Sequence, residues 1–198
     1  QNYLWKKWTY TGMSLRKYTN SMKVLSIGDY SSNLSVYEAQ VMLLIGIKKS
    51  GIDLSVQGHF SDEIKEIFEQ NNVPLIYDKP NSKKDKNFIK RLKNTITENQ
   101  FKIVHVFGGK NTSNACFAAK KLNIRVIGYF GSTSIHWYDP FAYLSYLNPR
   151  LDRIIVISDD IKRHLKKQLF RKNKPAKIYK GYHPDWFSKE IPFDYTTI

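Results

Sequence analysis

The chain has 198 residues, enough for one well-filled core and short for two. Its 41% hydrophobic content, with 13 Tyr, 11 Phe and 4 Trp, excludes a disordered chain, and no apolar run approaches the ~20 residues that cross a bilayer. The balance of 32 basic against 17 acidic residues gives +15, a surface that attracts phosphates in nucleic acid, lipid headgroups or sugar nucleotides, unless it only keeps helix faces solvated.

Residues 1–21 are polar and aromatic without periodicity, as in Trp5-Lys6-Lys7-Trp8-Thr9-Tyr10. They read as a leader outside the fold, with Met22 as a candidate natural start. No apolar core followed by a small-residue cleavage site is visible there, so a secretory signal is not expected. From Met22 onward, short apolar runs alternate with amphipathic stretches. The runs are Val24–Ile27, Leu54–Val56, Val73–Tyr77, Ile103–Phe107, Val126–Tyr129, Ile154–Ile157 and Lys177–Tyr179. They are continuous rather than alternating, as in strands buried on both faces of a parallel sheet.

Between them, Val36, Ala39, Leu43 and Ile47 recur at helical spacing before the stop signal Gly51. Ile64, Ile67 and Phe68 mark a second helix with Ser61 as cap, and Phe88, Ile89, Leu92 and Ile96 a third. Ala115, Ala118, Ala119 and Leu122 form a fourth stripe, and Ile161, Leu165 and Leu169 a fifth, capped by Ser158. The pattern predicts an α/β domain over 22–188 with a Rossmann-like, doubly wound parallel sheet of about seven strands.

Ligands of such sheets bind beyond the carboxyl ends of the strands. That rule selects Ser31, Ser32 and Asn33 in the first loop, after Gly28. It selects Gly108, Gly109, Lys110, Asn111 and Thr112 in the fourth, and Gly131, Ser132 and Thr133 in the fifth. Ser158 follows the sixth strand, and Lys180 and Gly181 the seventh. Hydroxyl and amide groups beside helix N-termini suit sugars and phosphates. The glycine spacing of a dinucleotide fingerprint and a Walker-type Gly-Lys-Ser/Thr run are both missing, which argues against a nicotinamide dehydrogenase or a P-loop nucleotidase.

His136, in the long polar loop followed by Trp137, Tyr138, Asp139 and Pro140, is the candidate catalytic histidine; its alternative role is to fix that loop. His105 reads as a packed core residue, His59 as a loop residue, His164 as a solvated helix residue, and His183 as a hinge. No histidines have metal-ligand spacing, and Asp159-Asp160 suits a helix start better than a metal, so neither metal nor cofactor is expected. The single Cys116, among Ala115, Ala118 and Ala119, reads as a small buried hydrophobe in a reducing, cytoplasmic setting.

The order of these segments resembles the N-terminal domain of group-1 (family four) glycosyltransferases. Lys23-Val24-Leu25-Ser26-Ile27-Gly28 is similar to that family's first strand, and Glu38 through Leu54 to its first helix and basic-Gly turn. Ile103-Val104-His105-Val106-Phe107 is similar to its fourth strand. Leu151-Asp152-Arg153-Ile154-Ile155-Val156-Ile157-Ser158 resembles its "D-x-[IV]-[IV]-x-[VP]-S" signature. Ala176 to Phe187 resembles its interdomain segment, with Lys180 in place of an asparagine. The family's paired glycines in the first loop are replaced by Ser31, Ser32, Asn33 and Leu34, and the histidine it often carries after the fifth strand aligns with Gly131.

The resemblance implies one half of a two-domain GT-B architecture: the acceptor-side domain of a retaining enzyme. Such an enzyme moves a sugar from a nucleoside-diphosphate sugar to a saccharide or lipid-linked acceptor without a metal. The family's donor-binding domain lies outside this sequence, with 189–198 as the start of the connecting segment, so the chain alone is expected to be inactive. The lysines of the third and last helical stretches are expected to hold the protein peripherally on an anionic membrane face. Specific nucleic-acid binding is not expected, although a basic nucleic-acid-binding module and a non-catalytic interaction domain remain the alternative readings.

Overall fold

The computed structural model describes residues 22–179. In chain order the elements are β1 (Lys23–Tyr30), α1 (Leu34–Lys49), β2 (Asp53–Phe60), α2 (Asp62–Gln70), β3 (Leu75–Tyr77), α3 (Lys86–Glu98), β4 (Ile103–Phe107), α4 (Gly109–Ala118), β5 (Arg125–Phe130), a 3-10 turn (Pro140–Leu144), β6 (Arg153–Val156), α5 (Asp159–Gln168) and β7 (Pro175–Lys177). The strands form one parallel sheet in the order β3-β2-β1-β4-β5-β6-β7. Right-handed crossovers put α1 and α2 on one face, and α3, α4, the β5–β6 connection and α5 on the other. The two hydrophobic clusters divide in the same way. One gathers Tyr30, Val41, Leu44, Ile64 and Phe68; the other gathers Leu92, Ala115, Val126, Leu147 and Leu165. On the α1 side no described helix follows β4, β5 or β6, and Ile103, Ile127, Tyr129 and Ile155 there are half-buried and belong to neither cluster.

Local chemistry sets the helix starts. Ser61 Oγ accepts the Ile64 N–H at 3.5 Å and Ser158 Oγ accepts the Ile161 N–H at 3.2 Å. Asp85 accepts from Asn87 and Phe88 at 3.1 and 3.0 Å. In β1 the fully buried Tyr30 ring folds back along the sheet and stacks on Phe60 at 5.6 Å. A Cβ at Gly28 would come within 2.6 Å of that ring, and one at Gly58 within 2.2 Å of the Gly28 carbonyl, so both positions need glycine.

The structure corrects several sequence expectations. β1 runs on to Tyr30, so Gly28 lies inside a strand and the first ligand loop shrinks to 31–33. β3 begins at Leu75, and β7 lies two residues earlier than the apolar run at 177–179. His59 is an exposed residue of β2 rather than of a loop, and α4 ends before Leu122. α1 buries Val41, Leu44 and Ile45, whereas Val36 and Leu43 are 65% and 51% exposed. That helix is apolar around most of its circumference, so its spacing offers two stripes, and contact with Tyr30 and α2 selects the one the sequence did not favour.

Opposite the ligand edge, at the start of β6, Arg150 donates to the carbonyls of Ala119 (3.1 Å), Leu122 (3.3 Å) and Ile124 (2.8 Å), and pairs with Asp152 at 2.7 Å. Asp152 also accepts the Val126 N–H at 2.8 Å. Burial alone would raise the Asp152 carboxyl; these donors outweigh it and hold the group below the usual carboxylate range. The aspartate of the family-like signature therefore latches the α4–β5 turn to β6.

Candidate functional site at the carboxyl edge

The strand order reverses at β1, whose outgoing connection crosses one face while that of β4 crosses the other. In sheets of this kind the crevice that takes ligands lies beyond the carboxyl ends of the two strands where the connections diverge. Ser31, Ser32 and Asn33 lie exposed on one side of it, and Asn33 heads α1 without spending its side chain as a cap. On the other side Gly108, at φ +83°, turns the chain sharply from β4 into α4. A side chain would be strained in that conformation. The turn presents the first N–H groups of α4 to the crevice, with Lys110 exposed beside them. Free N–H groups and a cation at a helix start form an environment for phosphate or sugar oxygens.

Two predicted site residues are taken up by the turn itself. Asn111 Nδ2 donates to the Phe107 carbonyl and Thr112 Oγ1 to that of Gly108, both at 2.9 Å, and both residues are buried. Ser113 and Asn114 continue this buried polar ridge. Ser113 Oγ donates to the Lys83 carbonyl, Asn114 Nδ2 donates to that of Ser82 at 2.7 Å, and Asn114 Oδ1 accepts the Asp85 N–H at 3.0 Å. The ridge fixes the loop before α3. Its signal in the sequence was the run Asn111-Thr112-Ser113-Asn114, too polar for a buried helix face without partners.

After β5, Gly131, Ser132 and Thr133 are exposed at the same edge, and Ser132 and Ser134 share a hydroxyl contact of 2.8 Å. Ser158, after β6, spends its hydroxyl as the α5 cap, while Asp159 pairs with Lys177 of β7. Lys180, Gly181 and His183 lie outside the described residues, as do 1–21 and 189–198.

His136 is half-buried in the connection between β5 and β6. Its ring stacks on Tyr138 at 5.1 Å and meets His164 of α5 edge-on at 5.3 Å. His164, expected to be solvated, is half-buried with Nε2 2.6 Å from the Ile135 carbonyl. These contacts tie the loop to α5. His105 is buried on the α1 side of the sheet with Nε2 unpartnered, and desolvation pulls its pKa down to about 4, so it is neutral at pH 7. Burial pushes the Cys116 thiol up to about 12, which makes it an inert packing residue. No described helix is long and apolar enough to cross a membrane.

Comparison with solved structures shows the same fold elsewhere. A glycosyltransferase from Rickettsia africae superposes with a TM-score of 0.66 at 18% identity, over 87% of this chain and 47% of that one. The Anabaena protein HepE in complex with UDP gives 0.61 at 15% identity, over 81% and 44%. A UDP-N-acetylglucosamine 2-epimerase from Methanocaldococcus jannaschii gives 0.57 at 16% identity, over 78% and 45%. The chain thus spans less than half the length of these relatives. No curated protein matches the chain. The family model for Glycosyltransferase Family 4 matches residues 43–186, from the middle of α1 through the last described strand, and the chain therefore belongs to that family.

Proposed function

We propose that this chain is the acceptor-side domain of a retaining glycosyltransferase that moves a sugar from a nucleoside-diphosphate sugar to a saccharide or lipid-linked acceptor. The observation that supports the reading is the reversal of strand order at β1, which puts the β1 and β4 loops side by side at the carboxyl edge, in a chain of this family. Ser31, Ser32 and Asn33 would orient acceptor hydroxyls. The N–H groups that open α4, with Lys110, would face the diphosphate as negative charge develops on the leaving group. The HepE complexes with UDP and with UDP-glucose support a uridine diphosphate sugar as the first donor to test. The fold alone is shared with UDP-N-acetylglucosamine 2-epimerases, so family membership is what favours transfer over epimerisation. The same reading puts the domain peripherally on an anionic membrane face, where a lipid-linked acceptor would lie.

The test is a transfer assay on the full-length enzyme with Lys110→Ala and with Ser31→Ala/Ser32→Ala. Each variant should lower kcat/KM by tenfold or more, about 1.4 kcal/mol, with an unchanged melting temperature. Full activity in both variants would remove the crevice from the mechanism.

A further inference from the structure

Charge is unevenly divided between the two helical faces. On the α1 side, α2 carries Asp62, Glu63, Glu66 and Glu69 against Lys65. On the other face, Lys83, Lys84 and Lys86 are exposed at the start of α3, and Lys166, Lys167 and Arg171 at the end of α5. Between these basic stretches stands the segment from Trp137 to Tyr143. Trp137, Tyr138 and Phe141 are 63%, 66% and 61% exposed, an apolar cluster that a solvated surface does not require.

The segment is built to hold these rings outward. The Trp137 N–H donates to Gln168 Oε1 of α5 at 2.9 Å, and the Tyr143 hydroxyl donates to the Trp137 carbonyl at 2.7 Å. Asp139 accepts the Phe141 N–H at 2.9 Å, closing the 3-10 turn. Lys83 Nζ sits 5.3 Å from the centre of the Phe141 ring. The aromatic segment is thus pinned to α5 on one side and touches the basic turn before α3 on the other.

We propose that this face docks on an anionic lipid bilayer, with Trp137, Tyr138 and Phe141 entering the headgroup layer and the flanking lysines resting on lipid phosphates. The headgroup layer accepts amphipathic rings and ammonium groups side by side. A protein interface of this kind would be poor in lysine near its centre. Single-stranded nucleic acid needs open ring faces in series for stacking. Here Trp137 and Tyr138 stand at 80° to each other, and one face of Tyr138 is covered by His136. The inference deepens the membrane part of the proposed function and is independent of sugar transfer.

The experiment is co-sedimentation of the 198-residue chain with phosphatidylcholine vesicles, with and without phosphatidylglycerol. Binding is expected only to the anionic vesicles and should weaken as salt rises. Lys83→Glu/Lys84→Glu/Lys86→Glu should weaken it by about tenfold or more. Trp137→Ser/Tyr138→Ser/Phe141→Ser should weaken it to a similar degree while circular dichroism stays unchanged. A second measurement leaves the anchor intact. With Trp5, Trp8 and Trp186 changed to Phe, the remaining Trp137 should shift to the blue on binding and be quenched by brominated acyl chains. Unquenched Trp137 on vesicles that do bind would overturn the anchor, while charge-driven peripheral association survived. Failure to bind anionic vesicles at low salt, or retention of single-stranded RNA in their place, would overturn the docking surface itself.

Discussion

On the α1 and α2 side of the sheet the core holds, among aliphatic side chains, a cluster of aromatic rings closed around Tyr30, with Tyr37, Phe60 and Phe68 at centroid distances of 5.6 to 5.8 Å. On the α3 to α5 side it is mostly aliphatic, threaded by the buried amides and hydroxyls of Asn111 to Asn114 and rimmed by exposed lysines. The first face packs Tyr30, Tyr37, Phe60 and Phe68 against one another. The second buries Phe88, Phe101, Phe130 and Tyr146 among aliphatic side chains and also puts Trp137, Tyr138 and Phe141 at the surface. Residue type alone therefore does not say which aromatics are core. The supporting hydrogen bonds do, because burying a ring needs only apolar neighbours, whereas holding one in water needs a framework such as Gln168 and Asp139 provide.

The contrast can be broken at several points. A large effect belongs to the latch on the second face. Arg150→Ala leaves three carbonyls and the Asp152 carboxylate without their shared donor, and should cost about 3 kcal/mol in urea unfolding. A loss under about 1 kcal/mol would mean that water replaces the guanidinium freely.

On the first face, Leu44→Ala should cost roughly 2–5 kcal/mol, because Leu44 is fully buried, while Leu43→Ala should stay within about 0.5 kcal/mol. Equal costs would restore the stripe that helical spacing suggested.

His105 sharpens the comparison through pH. Its folded-state pKa of about 4 lies below the ordinary value of 6.5, so the unfolded chain binds more protons in the window between these two values. Stability should therefore decline as pH drops from 6.5 toward 4, by about 3 kcal/mol at the lower end. His105→Phe should flatten that slope. An unchanged slope would place the acid sensitivity elsewhere.

The smallest of these effects is at the α5 start, where Ser158→Ala should cost about 1 kcal/mol through loss of the cap. No change in melting temperature would show that water serves the Ile161 N–H equally well.

Much of this architecture was legible in the sequence because its signals are local. Continuous runs such as Ile103–Phe107 mark buried parallel strands, Ser61 and Ser158 mark helix starts, and the alternation of the two patterns gives the doubly wound order. What stayed hidden depended on distant partners. The inward turn of Ser113 and Asn114 is set by the Lys83 and Ser82 carbonyls of the loop before α3, and the stripe of α1 by the Tyr30 ring. The attachment of His136 to α5 needs His164, which is distant in sequence and adjacent only in the fold. The carboxyl-end rule puts Ser31 and Gly108 at one edge, since in an all-parallel sheet every strand ends there.

The most direct test of the central claim compares the 198-residue chain with the full-length enzyme in a transfer assay using labelled nucleoside-diphosphate sugars. The division of labour predicts transfer by the full-length protein and none above background by the chain, even at high concentration. Clear transfer by the chain alone, or its absence from a correctly folded full-length protein across the donor and acceptor panel, would contradict it.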